Sequence, residues 1–202
     1  MDRKTNILKR FVIYMAILTF VMFTVWALVK SFMNRPPGDY HTEVCDIRLK
    51  DKKYNDALDA ANMALEKTPN HRGAIMCKAL VYISEKKYFK ATEELNYLIN
   101  FLEKNLVDDD KTGKGTLAAA YANRGIVKDR SNNYEGALKD YIKALGIDHI
   151  AVAGPGLGTI ILNYKFKSSS VRERALYLNK QLQLPEEERV LKIEELDAGQ
   201  VM

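Results

Sequence analysis

The sequence predicts an all-α protein: one membrane-spanning helix, then a three-unit array of helical hairpins, then a C-terminal capping helix. Three observations carry this expectation. Residues 11–29, FVIYMAILTFVMFTVWALV, run without a charge. Small and aromatic residues recur between residues 45 and 144 with a spacing of 34 residues. A signalled amphipathic segment then follows at residues 170–183.

The uncharged run comes first in the chain. At about 1.5 Å per residue its length matches the roughly 30 Å hydrocarbon core of a bilayer. A cleaved signal peptide would have a shorter apolar stretch and a small-x-small cleavage site. Here Lys30-Ser31-Phe32-Met33-Asn34-Arg35 follows instead. The run therefore reads as an uncleaved anchor over residues 11–30, behind a basic N-terminus, 1–10. Arg3, Lys4, Lys9 and Arg10 precede it, and only Lys30 and Arg35 follow closely. The bias of basic residues places the N-terminus in the cytoplasm and the remainder across the membrane. Residues 31–38 form a linker, whose Pro36-Pro37-Gly38 cannot continue a helix.

The recurrence comes next. Tyr88 and Ala91 stand 34 residues after Tyr54 and Ala57, and Tyr134 and Ala137 follow after 34 residues plus a 12-residue insertion. Twelve positions before each alanine is another small residue: Cys45, Ala79 and Gly125. Antiparallel helices approach closely only where facing side chains are small, so each pair marks a contact within one hairpin. Tyr82 and Tyr141 supply larger bodies around those contacts. This pattern resembles the tetratricopeptide repeat, a helix–turn–helix unit that buries its core by stacking on neighbours. The resemblance covers residues 39–149, with units at 39–71, 72–106 and 115–149 and the insertion at 107–114. The second unit departs from the pattern at its end, where Leu98 replaces a small residue and Glu103 stands in the place of a closing proline. Helices are expected at about 39–51, 54–67, 72–84, 88–105, 115–130 and 134–147.

The tail, 150–202, opens on a glycine-rich stretch and an apolar one. Ser170-Val171-Arg172-Glu173 is a capping box, and Val171, Ala175, Leu178 and Leu182 share one helical face. A capping helix at about 171–183 is expected, with a short acidic helix after Pro185 through about Ile193.

Charge narrows the function classes. The chain carries 31 Lys+Arg and 26 Asp+Glu, of which six and one lie in residues 1–35, leaving 25 of each sign beyond. The basic excess is therefore beside the membrane, where anionic lipid meets it, and no basic patch supports nucleic-acid binding. Two cysteines make no disulfide framework. Cys45 reads as a buried thiol at a packing site, and a bridge to Cys77 is not favoured.

No motif reads as catalytic, cofactor-binding or metal-binding. Gly154-Pro155-Gly156-Leu157-Gly158-Thr159 lacks the preceding strand and the lysine of a phosphate loop. Asp108-Asp109-Asp110 is consecutive, whereas calcium ligands alternate. His41, His71 and His149 have no helically spaced partner.

What the resemblance implies is a concave groove lined by the first helix of each unit. Carried onto this sequence, the partner-binding residues are Thr42, Asp46 and Leu49; Met76, Leu80 and Ile83; and Ala122, Ile126 and Asp129, flanked by Asp39, Gly73 and Ala119. Such a groove would take an amphipathic helix or an extended apolar segment. Some family members hold the C-terminal carboxylates of heat-shock chaperones with basic and amide side chains. The matching positions here are Thr42, Asp46, Cys77, Ala119 and Asn123, of which only Asn123 is of a suitable type, so that clamp is not matched. The chain's own Ile160, Ile161, Leu162, Tyr164 and Phe166 are alternative fillers of the groove.

The expected function is a membrane-anchored interaction scaffold, not an enzyme, without cofactor. Its partners would be other proteins, as subunits of a membrane complex, and lipid through residues 11–30. The expected setting is a bacterial inner membrane with the repeats in the periplasm. Three alternatives stand beside it: a cytosol-facing adaptor or receptor, an enzyme using the glycine-rich tail, and a span that itself packs against other membrane helices.

Overall fold

The computed structural model describes residues 3–33, 35–149, 152 and 170–193. Among them the regular elements are helical and no strand is present. The chain divides into two compact units, Met1–Pro37 and Gly38–Met202.

The first unit is one helix, α1 (Arg3–Met33), extending beyond the apolar run at both ends. Its stretch Asn6–Lys30 is long and apolar enough to cross a membrane. Apolar side chains point outward all round it, which suits lipid and not a half-buried helix. Thr19 and Thr24 keep their hydroxyls on the helix itself. Thr24 donates to the Val21 carbonyl at 2.8 Å, and Thr19 donates to that of Met15. Near its end the Lys30 ammonium lies 4.9 Å from the Trp26 ring centroid, a cation–π contact.

The second unit contains α2 (Asp39–Lys50), α3 (Tyr54–Lys67), α4 (Arg72–Ser84), α5 (Tyr88–Asn105), α6 (Lys111–Arg130), α7 (Tyr134–Ile147) and α8 (Val171–Leu182). Successive pairs form three hairpins, α2/α3, α4/α5 and α6/α7. Their tight turns are built alike. Lys52, Lys86 and Asn132 all have positive φ, near 60°. In each turn the next residue's N–H reaches back five residues at 2.8 Å: Lys53 to Arg48, Lys87 to Tyr82, Asn133 to Lys128. This closes the carbonyl ends left open by the first helix of each hairpin. Asparagine tolerates the left-handed conformation better than lysine does, so the third turn is the least strained.

The small-residue contacts lie where their spacing predicts. Cys45, Ala57, Ala79, Ala91 and Ala137 are all fully buried. Gly125 shows why size matters there. A Cβ on it would stand 2.6 Å from two ring carbons of Tyr141, a ring that is itself fully buried and has nowhere to swing.

Two features of the repeat region differ from the sequence expectation. First, α6 begins at Lys111, four residues before 115, so half of the 107–114 insertion is taken up as helix and 106–110 remains as loop. Asp110 is the cause: its Oδ1 accepts the Gly113 N–H at 2.7 Å as an N-cap, and its other oxygen pairs with Arg72. The Gly113 N–H, then Arg72, hold the Asp110 carboxyl below the ordinary aspartate range. Second, Cys45 and Cys77 are bridged, with Cα atoms 6.4 Å apart. The expectation of a free buried thiol is thereby corrected. The bridge joins α2 to α4, the first helices of consecutive hairpins. Its setting gives a reason. The buried residues of α2 and α3 are Cys45, Ala57, Ala60, Ala61 and Ala64, with no large aliphatic among them. A repeat that buries so little is short of hydrophobic stabilisation, and a covalent tie offsets the shortfall.

The main core runs through α4 to α8, from Ile75 and Leu95 to Tyr141, Val152 and Leu178. The cap α8 packs on α7, as α4 packs on α3 and α6 on α5. Its capping box is present, the Ser170 hydroxyl accepting from the Glu173 N–H at 3.2 Å and Glu173 accepting from the Ser170 N–H at 2.9 Å. After it the chain makes only a 3-10 turn, Glu186–Glu188, not a helix through Ile193. Side chains pull residues 184–191 back onto α8 instead. Arg189 donates to the Leu184 carbonyl at 2.8 Å, and Gln181 accepts the Val190 N–H at 2.8 Å.

Candidate protein-binding surface

The first helices of the three hairpins, α2, α4 and α6, place the nine groove residues in a graded series. On α2, Asp46 is exposed, while Thr42 and Leu49 are half-buried. Thr42 is fixed by its own backbone and a neighbour: its hydroxyl lies 3.2 Å from the Gly38 carbonyl and 3.3 Å from His71 Nδ1. His71 also caps α4, its Nδ1 accepting the Ala74 N–H at 3.2 Å, while Nε2 meets Asp39 at 2.8 Å. The hinge between the first two hairpins is thus a closed polar cluster. Desolvation pushes the Asp46 carboxyl above its ordinary range, against Lys50 and helped by Glu43, although the residue as a whole faces solvent.

On α4, Met76 and Leu80 are half-buried at the edge of the main core, and Ile83 is buried. On α6, Ala122, Ile126 and Asp129 are all buried. Asn123, the one residue suited to a carboxylate clamp, is also buried and turns its amide toward Met76 Sδ at 3.6 Å. Leu49, Met76 and Leu80 are therefore the apolar groove positions that keep open surface. The proposed fillers Ile160 to Phe166, and the glycine-rich 154–159, lie outside the described residues.

Asp129 has a partner that the sequence reading did not assign. Arg174 of α8 grips it with both ends of its fork, Nε to Oδ2 at 2.7 Å and Nη2 to Oδ1 at 2.8 Å. The Tyr141 hydroxyl donates to Oδ2 at 3.2 Å. The side chains of Arg174 and Asp129 are 1% and 4% exposed, which makes this a fully desolvated pair. Burial, then the Asp129 charge, drives the Tyr141 phenol far up, so it stays a donor. The signal was present in the sequence: Arg174 is the single charge on the Val171–Ala175–Leu178 face.

A second polar cluster ties α5, α6 and α7 together. Arg124 donates to both oxygens of Asp140 at 2.8 Å and to Asn96 at 2.6 Å. Lys128 adds a contact to Asp140 at 2.7 Å. Tyr121 donates to Glu103 and accepts from Lys143 at 3.2 Å. The Asp140 carboxylate raises the Arg124 pKa. These groups satisfy one another and set the register between the second and third hairpins. Among the described residues no group of His, Cys, Asp and Glu is placed to hold a metal ion.

No protein-family model matches the sequence, and no curated protein sequence matches it. Solved structures do resemble it. The first tetratricopeptide domain of Spaghetti (RPAP3), solved bound to the HSP90 peptide SRMEEVD, is 16% identical, covering 73% of this chain and 94% of that one with a TM-score of 0.53. The Sgt2 tetratricopeptide domain from Aspergillus fumigatus is 18% identical over 75% and 87% of the two chains, TM-score 0.49. The Arabidopsis OM64 domain is 17% identical over 56% and 84%, TM-score 0.47. At 16% identity the likeness to the Spaghetti domain concerns the fold, and it agrees with the repeat pattern. The chain has the tetratricopeptide-repeat fold, capped by α8, behind an apolar N-terminal helix.

Proposed function

We propose that the protein is a membrane-anchored scaffold that binds other proteins and catalyses no reaction, serving as an accessory or assembly subunit of a bacterial envelope complex. The anchor is α1, and the repeats stand in the periplasm. The observation that supports this reading is the Cys45–Cys77 bridge, since disulfides persist in oxidising compartments and are rare in the cytosol. The positive-inside bias of residues 1–35 points the same way. The binding surface is the strip of Leu49, Met76 and Leu80, with Thr42 and Asp46 as its polar border. Half-buried apolar side chains on neighbouring first helices fit an amphipathic helix or an extended apolar segment. The buried members, Ile83, Ala122, Ile126 and Asp129, stiffen the floor of this surface.

Site-specific photo-cross-linking in intact cells tests the surface. A photoreactive residue at Leu80 is expected to yield discrete adducts with other proteins. The same residue at Phe89, which is 76% exposed on α5, is expected to yield none of those bands. Adducts at Phe89 and none at Leu80 would move the binding site to the second helices.

A further inference from the structure

Within the protein-binding groove proposed above, on which this reading rests, we propose that Asp46 receives a lysine or arginine carried by an apolar segment seated on Leu49, Met76 and Leu80. The register of α2 against α4 places the carboxylate. A Cβ on Gly73 would stand 2.9 Å from the Thr42 methyl group, and one turn further along both helices Cys45 is bonded to Cys77. The two helices therefore run side by side in one register, with Asp46 and Leu49 level with the turn from Met76 to Leu80. Asp46 stands four residues after Thr42 and three before Leu49, so carboxylate and apolar side chain share one helix face. The bridge holds that spacing before any ligand arrives, which lowers the ordering cost of binding.

Asp46 makes no hydrogen bond or ion pair among the described residues. Both cations of α4 and two of α6 are committed elsewhere. Arg72 pairs with Asp110, Lys78 with Glu94 at 2.8 Å, and Arg124 and Lys128 with Asp140 at 2.8 and 2.7 Å. Burial raises the Asp46 carboxyl above the ordinary aspartate range, Lys50 opposes this from one turn on, and Glu43 adds to the rise. A carboxylate already short of solvent gains more from an arriving cation than a fully exposed one does. An anionic ligand would instead set a like charge against Asp46 and find the α4 cations engaged. The charge preference is thus the reverse of a carboxylate clamp, in whose places this chain has Thr42, Asp46 and Cys77.

Binding of the full-length protein, in a non-ionic detergent, to surface-immobilised peptides tests this. The probes are short amphipathic peptides of leucine, alanine and glutamine that differ only in one central residue, Lys, Gln or Glu. Wild type is expected to bind the Lys peptide about threefold tighter than the Gln peptide and about tenfold tighter than the Glu peptide, the range of a partly exposed charge pair. Asp46→Asn is expected to erase that ranking and Asp46→Lys to reverse it; if Asp46→Lys loses helix content, Asp46→Asn alone decides. Leu80→Ala is expected to weaken all three peptides alike, by about fivefold. Equal binding of the three peptides to wild type, weakened by Leu80→Ala, overturns the charge preference and leaves the groove reading standing. So does a preference for Glu, or a Lys preference that survives Asp46→Asn. Binding that Leu80→Ala does not weaken, or no binding of any peptide, overturns the groove reading as well.

Discussion

Replacing Arg174 with alanine is expected to destabilise the second unit by about 3–5 kcal/mol, the usual cost of leaving one partner of a buried ion pair alone. Asp129 would keep only the Tyr141 hydroxyl, in a site to which water has almost no access. At roughly 2–4 °C per kcal/mol for a unit of this size, the melting temperature falls by about 8–15 °C. The double change Asp129→Leu/Arg174→Met separates charge from packing. It removes both charges and keeps volume, so most of the loss returns, less about 1 kcal/mol for the acceptor that Tyr141 loses. A melting shift below about 2 °C in Arg174→Ala would show that solvent reaches the pair and that α8 is not docked as described.

Reduction of Cys45–Cys77 is expected to cost roughly 3–4 kcal/mol, from the chain entropy released when a loop spanning 32 residues opens. The effect is local in kind. The first hairpin is sealed by alanines and the bridge itself, whereas the later hairpins bury Ile75, Leu95, Leu98, Ile99, Leu102 and Tyr141. Amide hydrogen exchange should therefore show α2 and α3 opening first after thiol reduction, with α5 to α7 still protected. Cys45→Ala/Cys77→Ala should behave like the reduced protein. Uniform exchange with and without reductant would contradict the view that the bridge substitutes for a weak core.

The repeats were legible because packing constrains them. Two helices can approach closely only at small residues, so Cys45/Ala57, Ala79/Ala91 and Gly125/Ala137 recur at fixed distance and reveal the hairpins. The cap was legible for a similar reason, since Ser170 and Glu173 are local signals that need no tertiary context. Features that depend on another element were not legible. The repeat spacing leaves Lys111-Thr112-Gly113-Lys114 in the insertion, yet Gly113 is buried in α6 with Leu106, Asp110 and Arg72 crowded about it. Its glycine serves close packing, not a turn. The bridge was missed because Cys77 lies two positions before the small-residue site at Ala79, off the repeating pattern. Family position marks Asp129 as groove-lining, but its actual partner comes from an element distant in sequence, Arg174 of α8.

The same burial decides how the surface should be probed. Ile126 is 1% exposed, so a charge placed there would damage the core before it informed on binding. Leu80, half-buried at the edge of the core, is the better position. Cross-linked affinity purification from native membranes, run on wild type and on a Leu80→Arg variant of unchanged helix content, is the measurement to make. The account predicts a defined set of co-purifying proteins with wild type and their loss, at least tenfold, with Leu80→Arg. The same partners at the same yield in both would contradict it, and would place recognition away from the first helices of the repeats.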